Sequence, residues 1–278
     1  MRSKKRFSLS NCLIMIFMLV FALYVIYPLV LMAITSLKSN MEIIKSPMAL
    51  PTKIVLSGFK KIFSDANFFV YLKNSVLVTG AALLLSISFS ITLSYVLARY
   101  KGKWVNRLYF FFLVGMIIPI RLGVLFLNDM LNTLGLLDSL WGLILIYTAM
   151  SIPFSMFILT GFIKMLPREM DEAAFIDGCS TMQFIVSVII PLLKSAIATV
   201  AIYNFMPIWN DVYFPLVFIF NNAKKTFMLH ITMFFGQYQT DWNLVFSALT
   251  FATMVSLIFY VFGSRNLVKG LTAGALKG

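Results

Sequence analysis

Two sets of residues in this chain have types and spacings that suggest a job, and several familiar chemistries are missing. The first set lies in the polar stretch from Pro167 to Pro191, where Glu169, Asp171, Glu172 and Asp177 stand beside Ala173, Ala174 and Gly178. Small residues let another protein approach the backbone, while carboxylates such as Glu172 and Asp177 accept hydrogen bonds from basic partners. The second set is Arg121 and Asp211, charges set in apolar sequence, with Trp209 and Asn210 adjoining Asp211. Charges inside a membrane are costly and usually face a bundle interior or a cavity. These four residues are candidates for bordering a path through the bundle, where polar groups and flat aromatic faces could meet a substrate. The plainer alternative is an arginine reaching toward the interface and a helix-terminal aspartate, and it weighs more while depth rests only on residue counting.

The missing chemistries narrow the function. No Gly-x-x-x-x-Gly-Lys-Ser/Thr occurs, so the chain has no P-loop with which to cradle nucleotide phosphates. His230 is the only histidine and is read as a loop residue, with no carboxylate at ligand spacing to make a metal site. Cys12 and Cys179 are too far apart in sequence and setting to suggest a disulfide framework. With no Ser–His, zinc or paired-Asp constellation in its apolar runs, the chain reads as a non-enzyme that holds no cofactor itself.

The elements that must position these residues are membrane spans. Of 278 residues, 60% are hydrophobic and 12% charged, against about 25% charged in soluble domains. Six apolar runs approach or exceed the roughly 20 residues that cross a bilayer as helix: Cys12–Ile34, Ser75–Ala98, Leu108–Leu127, Leu140–Ile163, Ser195–Phe220 and Leu244–Phe262. None alternates as a barrel strand would, so the fold class is an all-α integral membrane protein with six transmembrane helices. The first run is longer than a signal peptide's apolar region and has no small-x-small end. Prolines at 119, 153, 207 and 215 lie within runs and are expected to kink them. Net charge is +13, but the basic residues sit in loops between runs and form no stripe, which argues for membrane topology and against nucleic acid. Placing both termini in the cytoplasm puts thirteen of the twenty-three Lys and Arg inside, including Arg2, Lys4, Lys5, Arg6, Arg99, Lys101, Lys103, Arg107, Lys164, Arg168, Arg265, Lys269 and Lys277. The segment from Thr35 to Asn74 disagrees, with Lys38, Lys45, Lys53, Lys60, Lys61 and Lys73, but at roughly 40 residues it is long enough for the rule to weaken.

The loop after the fourth run, 164–194, spells two short helices and a sharp turn. Pro167 suits a helix start, and Glu169, Asp171 and Glu172 place negative charge in a first turn. Gly178 can take the left-handed conformation that ends a helix, and Ser180 followed by Gln183 makes a capping box for the next. Glu172-Ala173-Ala174, Gly178, Val188, Ile190 and Pro191 resemble, at the characteristic spacing, the Glu-Ala-Ala loop of ABC importer permeases. Cys179, Val188, Ile190 and Ser195 depart from the usual residues without altering the turn. A lone triplet would read as a mere interfacial linker; here about twenty residues match, after the fourth of six runs.

The resemblance extends to the carbohydrate-uptake branch, specifically the maltose-type second permease. It is carried by Leu134–Leu137 with Trp141–Leu145, by Ile152-Pro153-Phe154 with Gly161-Phe162, by Trp209-Asn210-Asp211 with Phe214-Pro215-Leu216, and by the ending Lys269–Gly278. It implies a type I ABC importer permease fold, with 1–11 as a cytoplasmic N-terminus, 12–264 as the permease domain and 265–278 as a cytoplasmic tail that is flexible or ordered by a neighbour. It also implies partners: a second homologous permease, an ATPase subunit dimer that binds ATP and Mg, an extracellular or periplasmic solute-binding protein, a sugar and the bilayer. Glu172, Ala173, Ala174, Asp177, Gly178 and Pro191 would then belong to the ATPase-coupling loop. A secondary transporter would be expected to show inverted repeats with ionisable residues near the midplane, and neither is evident.

Overall fold

The computed structural model describes residues 9–235 and 240–275, and every regular element among them is a helix. Arg2, Lys4, Lys5, Arg6 and Lys277 lie outside these residues. Four of the six runs form single helices: α1 (Leu9–Thr35), α4 (Phe68–Arg99), α7 (Leu140–Lys164) and α14 (Trp242–Ala275). Short helices α2 (Asn40–Lys45) and α3 (Ser57–Ser64) occupy the long segment between the first two runs. The backbone of 265–275 continues α14, as a helix already nucleated extends one hydrogen bond at a time.

The third and fifth runs are broken, which corrects the expectation of straight or merely kinked spans. Helix α5 (Lys103–Ile117) meets the following helical stretch, a 3₁₀ turn at Ile120–Gly123 and α6 (Val124–Thr133), at 85°. Pro119 explains the break. The residue before a proline is pushed out of the helical region, and Ile118 is extended with φ −70° and ψ 121°. In the fifth run α11 (Lys194–Trp209) stops before Asn210, and α12 (Tyr213–Phe218) begins afresh. Asp211 is the cause: its carboxylate accepts from the backbone N–H of Tyr213 and of Phe214, both at 3.2 Å, and so competes with continuation of α11. Pro215, third in α12, falls where a helix has no use for the missing N–H. Pro153 and Pro207 remain inside α7 and α11.

The chain forms two compact units, 67–230 with 254–275, and 9–66 with 231–253. In the larger, α4 packs along α7. Ala82, Ser86, Ser90, Ser94 and Ala98 recur every fourth residue on α4 and are buried, as are Leu143, Tyr147, Ser151, Ser155, Leu159 and Ile163 on α7. Small side chains let membrane helices approach, and interhelical hydrogen bonds add to the packing. The Ser94 hydroxyl donates to the carbonyl of Met156 at 3.1 Å. Lone His230 belongs to the short helix α13 (Phe227–Ile231), its ring stacked on Tyr71 with centroids 4.1 Å apart, rather than to a loop.

In the smaller unit Asn243 ties three segments together. Its amide donates to the carbonyls of Ser36 and Lys38 at 2.9 and 2.8 Å, and its oxygen accepts from Gly58 N–H at 2.6 Å and Ser57 Oγ at 2.9 Å. Lys38, one of the lysines that disagreed with the charge rule, is wholly buried and donates to the carbonyls of Ser46 and Pro47, both at 3.0 Å. Lys61 pairs with Asp241. These two lysines therefore have structural work within the unit.

The connection between α6 and α7 is fastened by Asp138, whose φ of 52° is the one positive value at a described residue other than glycine. Its carboxylate accepts from the N–H groups of Phe220 and Asn221, both at 2.9 Å, and pairs with Lys224 at 3.3 Å. Burial alone would raise its pKa, but these donors outweigh burial and hold it below the ordinary carboxylate value. The resulting stabilisation is present above that ordinary value and is lost as pH falls through the lowered pKa. Asp138→Asn is expected to lower the Tm of the detergent-solubilised chain at neutral pH by about 2–4 °C. The deficit should vanish in strong acid, where wild-type Asp138 is protonated too. A deficit that persists unchanged there would remove the charge from the explanation.

Candidate functional site

The loop after α7 folds from the local cues in its sequence. Helix α8 (Glu169–Ile176) has Glu169, Asp171 and Glu172 in its first turn. Gly178 has φ of +80°, the conformation that costs glycine least. Around it Gly178 N–H donates to the Phe175 carbonyl at 3.1 Å and Cys179 N–H to the Ala174 carbonyl at 3.0 Å, the paired bonds of a Schellman ending. Ser180 and Gln183 make the reciprocal capping box that starts α9 (Thr181–Phe184).

This construction sorts the motif residues onto two faces. Glu172, Ala173, Asp177 and Gly178 are exposed, whereas Ala174 is half-buried against the inner cluster formed by the ends of α4, α7 and α11. The adjacent alanines therefore differ in role: Ala173 keeps the outer face low and Ala174 seats the helix. Sequence reading missed Ile176, which is 86% exposed at the tip, and Met182, at 61% beyond the turn. Large apolar groups presented beside carboxylates make a contact surface of the kind that anchors a partner. The inner face carries Asp171, 7% exposed, which meets Arg99 at the end of α4.

After α9 the helix widens into a π turn at Ile185–Ile189 before α10 (Ile190–Leu192), then bends by 79° into α11. Pro191 supplies a reason. It cannot donate to the carbonyl four residues back, and its ring crowds that carbonyl, so the preceding turn opens by one residue.

The other candidates do not all converge. Arg121 and Asp211 line a recess of about 510 Å³ together with Tyr147, Phe154, Tyr203 and Asn204. The Arg121 guanidinium lies 3.6 Å from the Asp211 carboxylate and 5.3 Å from the centre of the Tyr213 ring. Tyr147 donates its hydroxyl proton to Asp211 at 2.8 Å, and Tyr203 stacks on Phe154 with centroids 3.6 Å apart. Asp211 is thus the helix-terminal aspartate of the plainer reading and also part of a polar wall. Trp209 is not in that wall. It is 3% exposed, stacks on Phe205 and lines a separate apolar cavity of about 560 Å³ between α4, α11 and α14. Asn210 closes α11, donating to the Met206 carbonyl at 2.9 Å, and is likewise outside the recess.

Comparison with known proteins gives concordant results. Residues 90–272 match the family described as the binding-protein-dependent transport system inner membrane component. A protein of Caldicellulosiruptor sp. (strain Rt8B.4), named as an ABC transporter permease, is 34% identical over 95% of this chain and 96% of its own length. The diacetylchitobiose uptake system permease protein of Streptomyces coelicolor is 30% identical over 99% of this chain and 91% of its own. Among solved structures, a chain of a bacterial ABC transporter involved in the import of the acidic polysaccharide alginate superposes with a TM-score of 0.82 at 18% identity. That match covers 95% of this chain and all of the other, and it shows that the fold is shared.

Proposed function

The chain belongs to the family of binding-protein-dependent transport system inner membrane components, and from that premise we propose that it is the permease subunit of an ATP-driven importer of a sugar or oligosaccharide. The observation that carries the reading is the loop at 164–194. An acidic, small-residue face tipped by Ile176 is held outward by the Gly178 turn, next to the bend that leads into α11. Relatives named for oligosaccharide uptake support the solute class.

In this reading the chain hydrolyses no ATP. Two copies of a partner ATPase bind ATP and Mg in the cytoplasm, and Glu172, Ala173, Ala174, Asp177, Gly178 and Pro191 form or support the element that docks on them. Closure of the ATPases moves this loop and its counterpart on a second permease as packed bodies, which alternates access to the solute path. A solute-binding protein delivers the sugar from outside. The termini lie in the cytoplasm, with 12–264 as the permease domain. The recess at Arg121 and Asp211 contributes polar partners to the path; Tyr203 and Phe154, rather than Trp209, offer it aromatic surface.

The test is uptake of labelled oligosaccharide into proteoliposomes holding this chain, its second permease and the ATPase, with binding protein added. Uptake should require ATP. Uptake that continues without the ATPase and tracks an ion gradient would overturn the proposal. Within the same assay Asp211→Asn keeps the shape but removes the charge facing Arg121. It is expected to cut uptake about tenfold, the scale of one charge-assisted hydrogen bond. Unchanged uptake with intact assembly would take Asp211 out of the path.

A further inference from the structure

The outer face of α8 reads as a docking surface, but a docked motor does nothing unless α8 is fixed to the part of the bundle that must move. The structure shows one buried polar fixture there. Arg99 is the last residue of α4, and Asp171 lies on the inner side of α8. The guanidinium faces the carboxylate, with Nη2 donating to Oδ1 at 3.0 Å and Nε 2.7 Å from Oδ2 but not aligned to donate to it. Its remaining nitrogen, Nη1, donates to the Leu166 carbonyl at 3.1 Å, just beyond the end of α7. Tyr95, one turn back on α4, reaches Asp171 Oδ2 at 3.5 Å, and Arg168 donates to the Arg99 carbonyl at 3.2 Å. The Arg99 and Asp171 side chains are 7% and 10% exposed. One guanidinium that donates to the Asp171 carboxylate through Nη2 and to the Leu166 carbonyl through Nη1 spans two groups in a fixed plane, whereas a lysine offers a point charge on a flexible stem.

The position of the pair gives it a mechanical meaning. Asp171 immediately precedes Glu172, which is exposed about 100° further round the same short helix. Arg99 ends the helix whose serine seam runs along α7. Displacement of α8 therefore reaches α4 and the end of α7 through one buried guanidinium that holds both Asp171 and the Leu166 carbonyl. We infer that Arg99 and Asp171 are positioning residues that relay movement of the docked loop into α4 and α7. This rests on the importer reading above. A buried ion pair is weak support for stability and can be exchanged for apolar groups of similar size without unfolding the protein, so relay and stability are separable.

The experiment uses two variants of the complete assembly, Arg99→Lys and the double exchange Arg99→Met with Asp171→Leu. Sugar transported per ATP hydrolysed is measured, with co-purification of the ATPase as the control for docking. The docking face is untouched, so the ATPase should co-purify with both. Transport per ATP should fall about tenfold, within the scale on which residues along a coupling network act. Unchanged transport per ATP in either variant that assembles overturns the relay. Loss of the ATPase from both variants also overturns it, because the pair would then be holding the docking face. Failure of the wild-type chain to co-purify with an ATPase would instead sink the importer reading.

Discussion

Gly178→Pro is expected to reduce ATP-driven uptake to background while the chain still reaches the membrane. At this position φ is +80° and the N–H donates to Phe175 O. Proline is locked near −65° and has no N–H, so it removes the conformation and the hydrogen bond together. It also restricts Asp177, the last residue before the turn, which has φ −74° and ψ 6°. The six apolar runs are untouched, so insertion should persist. What is lost is the direction in which Glu172, Ala173 and Ile176 point, and the ATPase should no longer co-purify. Glu172→Lys tests the same surface without disturbing the fold, because Glu172 is exposed. Full uptake by Gly178→Pro would leave the turn without a role in energy transfer.

The second large effect is expected in the smaller unit. Asn243→Leu should destabilise that unit by several kcal/mol, about 1–3 for each buried group left without a partner. Asn243 is 3% exposed, and its removal strands the Lys38 carbonyl and the Gly58 N–H and leaves the Ser36 carbonyl only the Ser247 hydroxyl, at 3.3 Å. Leucine restores volume but offers no hydrogen bond, so the penalty should appear in full. Membrane level and thermal stability in detergent are the measurements; a Tm within one or two degrees of wild type would refute the account. Gly58→Ala should behave similarly, since a Cβ there would run into Ser247 Oγ and the Asn243 carbonyl.

The parts of this structure that sequence made legible are those whose physics is local. The loop after α7 could be written out as helix, left-handed glycine and capping box because each cue acts within a few residues. The bilayer's thickness likewise turns an apolar run into a span. Where the outcome depended on competition or distance, reading the chain fell short. Pro119 and Asp211 sit in runs that pass for continuous spans, and only the extended Ile118 and the carboxylate on Tyr213 and Phe214 N–H show that the helices stop. Arg99 counted as a charge for orientation and Asp171 as a first-turn acid; their partnership spans 72 residues and left no local trace. Trp209 beside Asp211 suggested a ring facing solute, yet helical geometry turns it into an apolar cavity on another side. The four-residue spacing from Ala82 to Ala98 was readable in principle, but serines in an apolar run pass as filler until the Ser90 and Ser94 hydroxyls are seen on carbonyls of the facing helix.

The widened turn at Ile185–Ile189 sets the aim of the whole loop N-terminal to it. One surplus residue in a helix rotates the segment on its N-terminal side by about 100° relative to the segment on its C-terminal side. The azimuth of α8 around the axis leading into α11 is therefore set by an irregularity lying outside the Glu-Ala-Ala triplet itself. A chimaera that grafted 167–184 onto a regular helix would carry every residue of the triplet and its turn, yet face the wrong way.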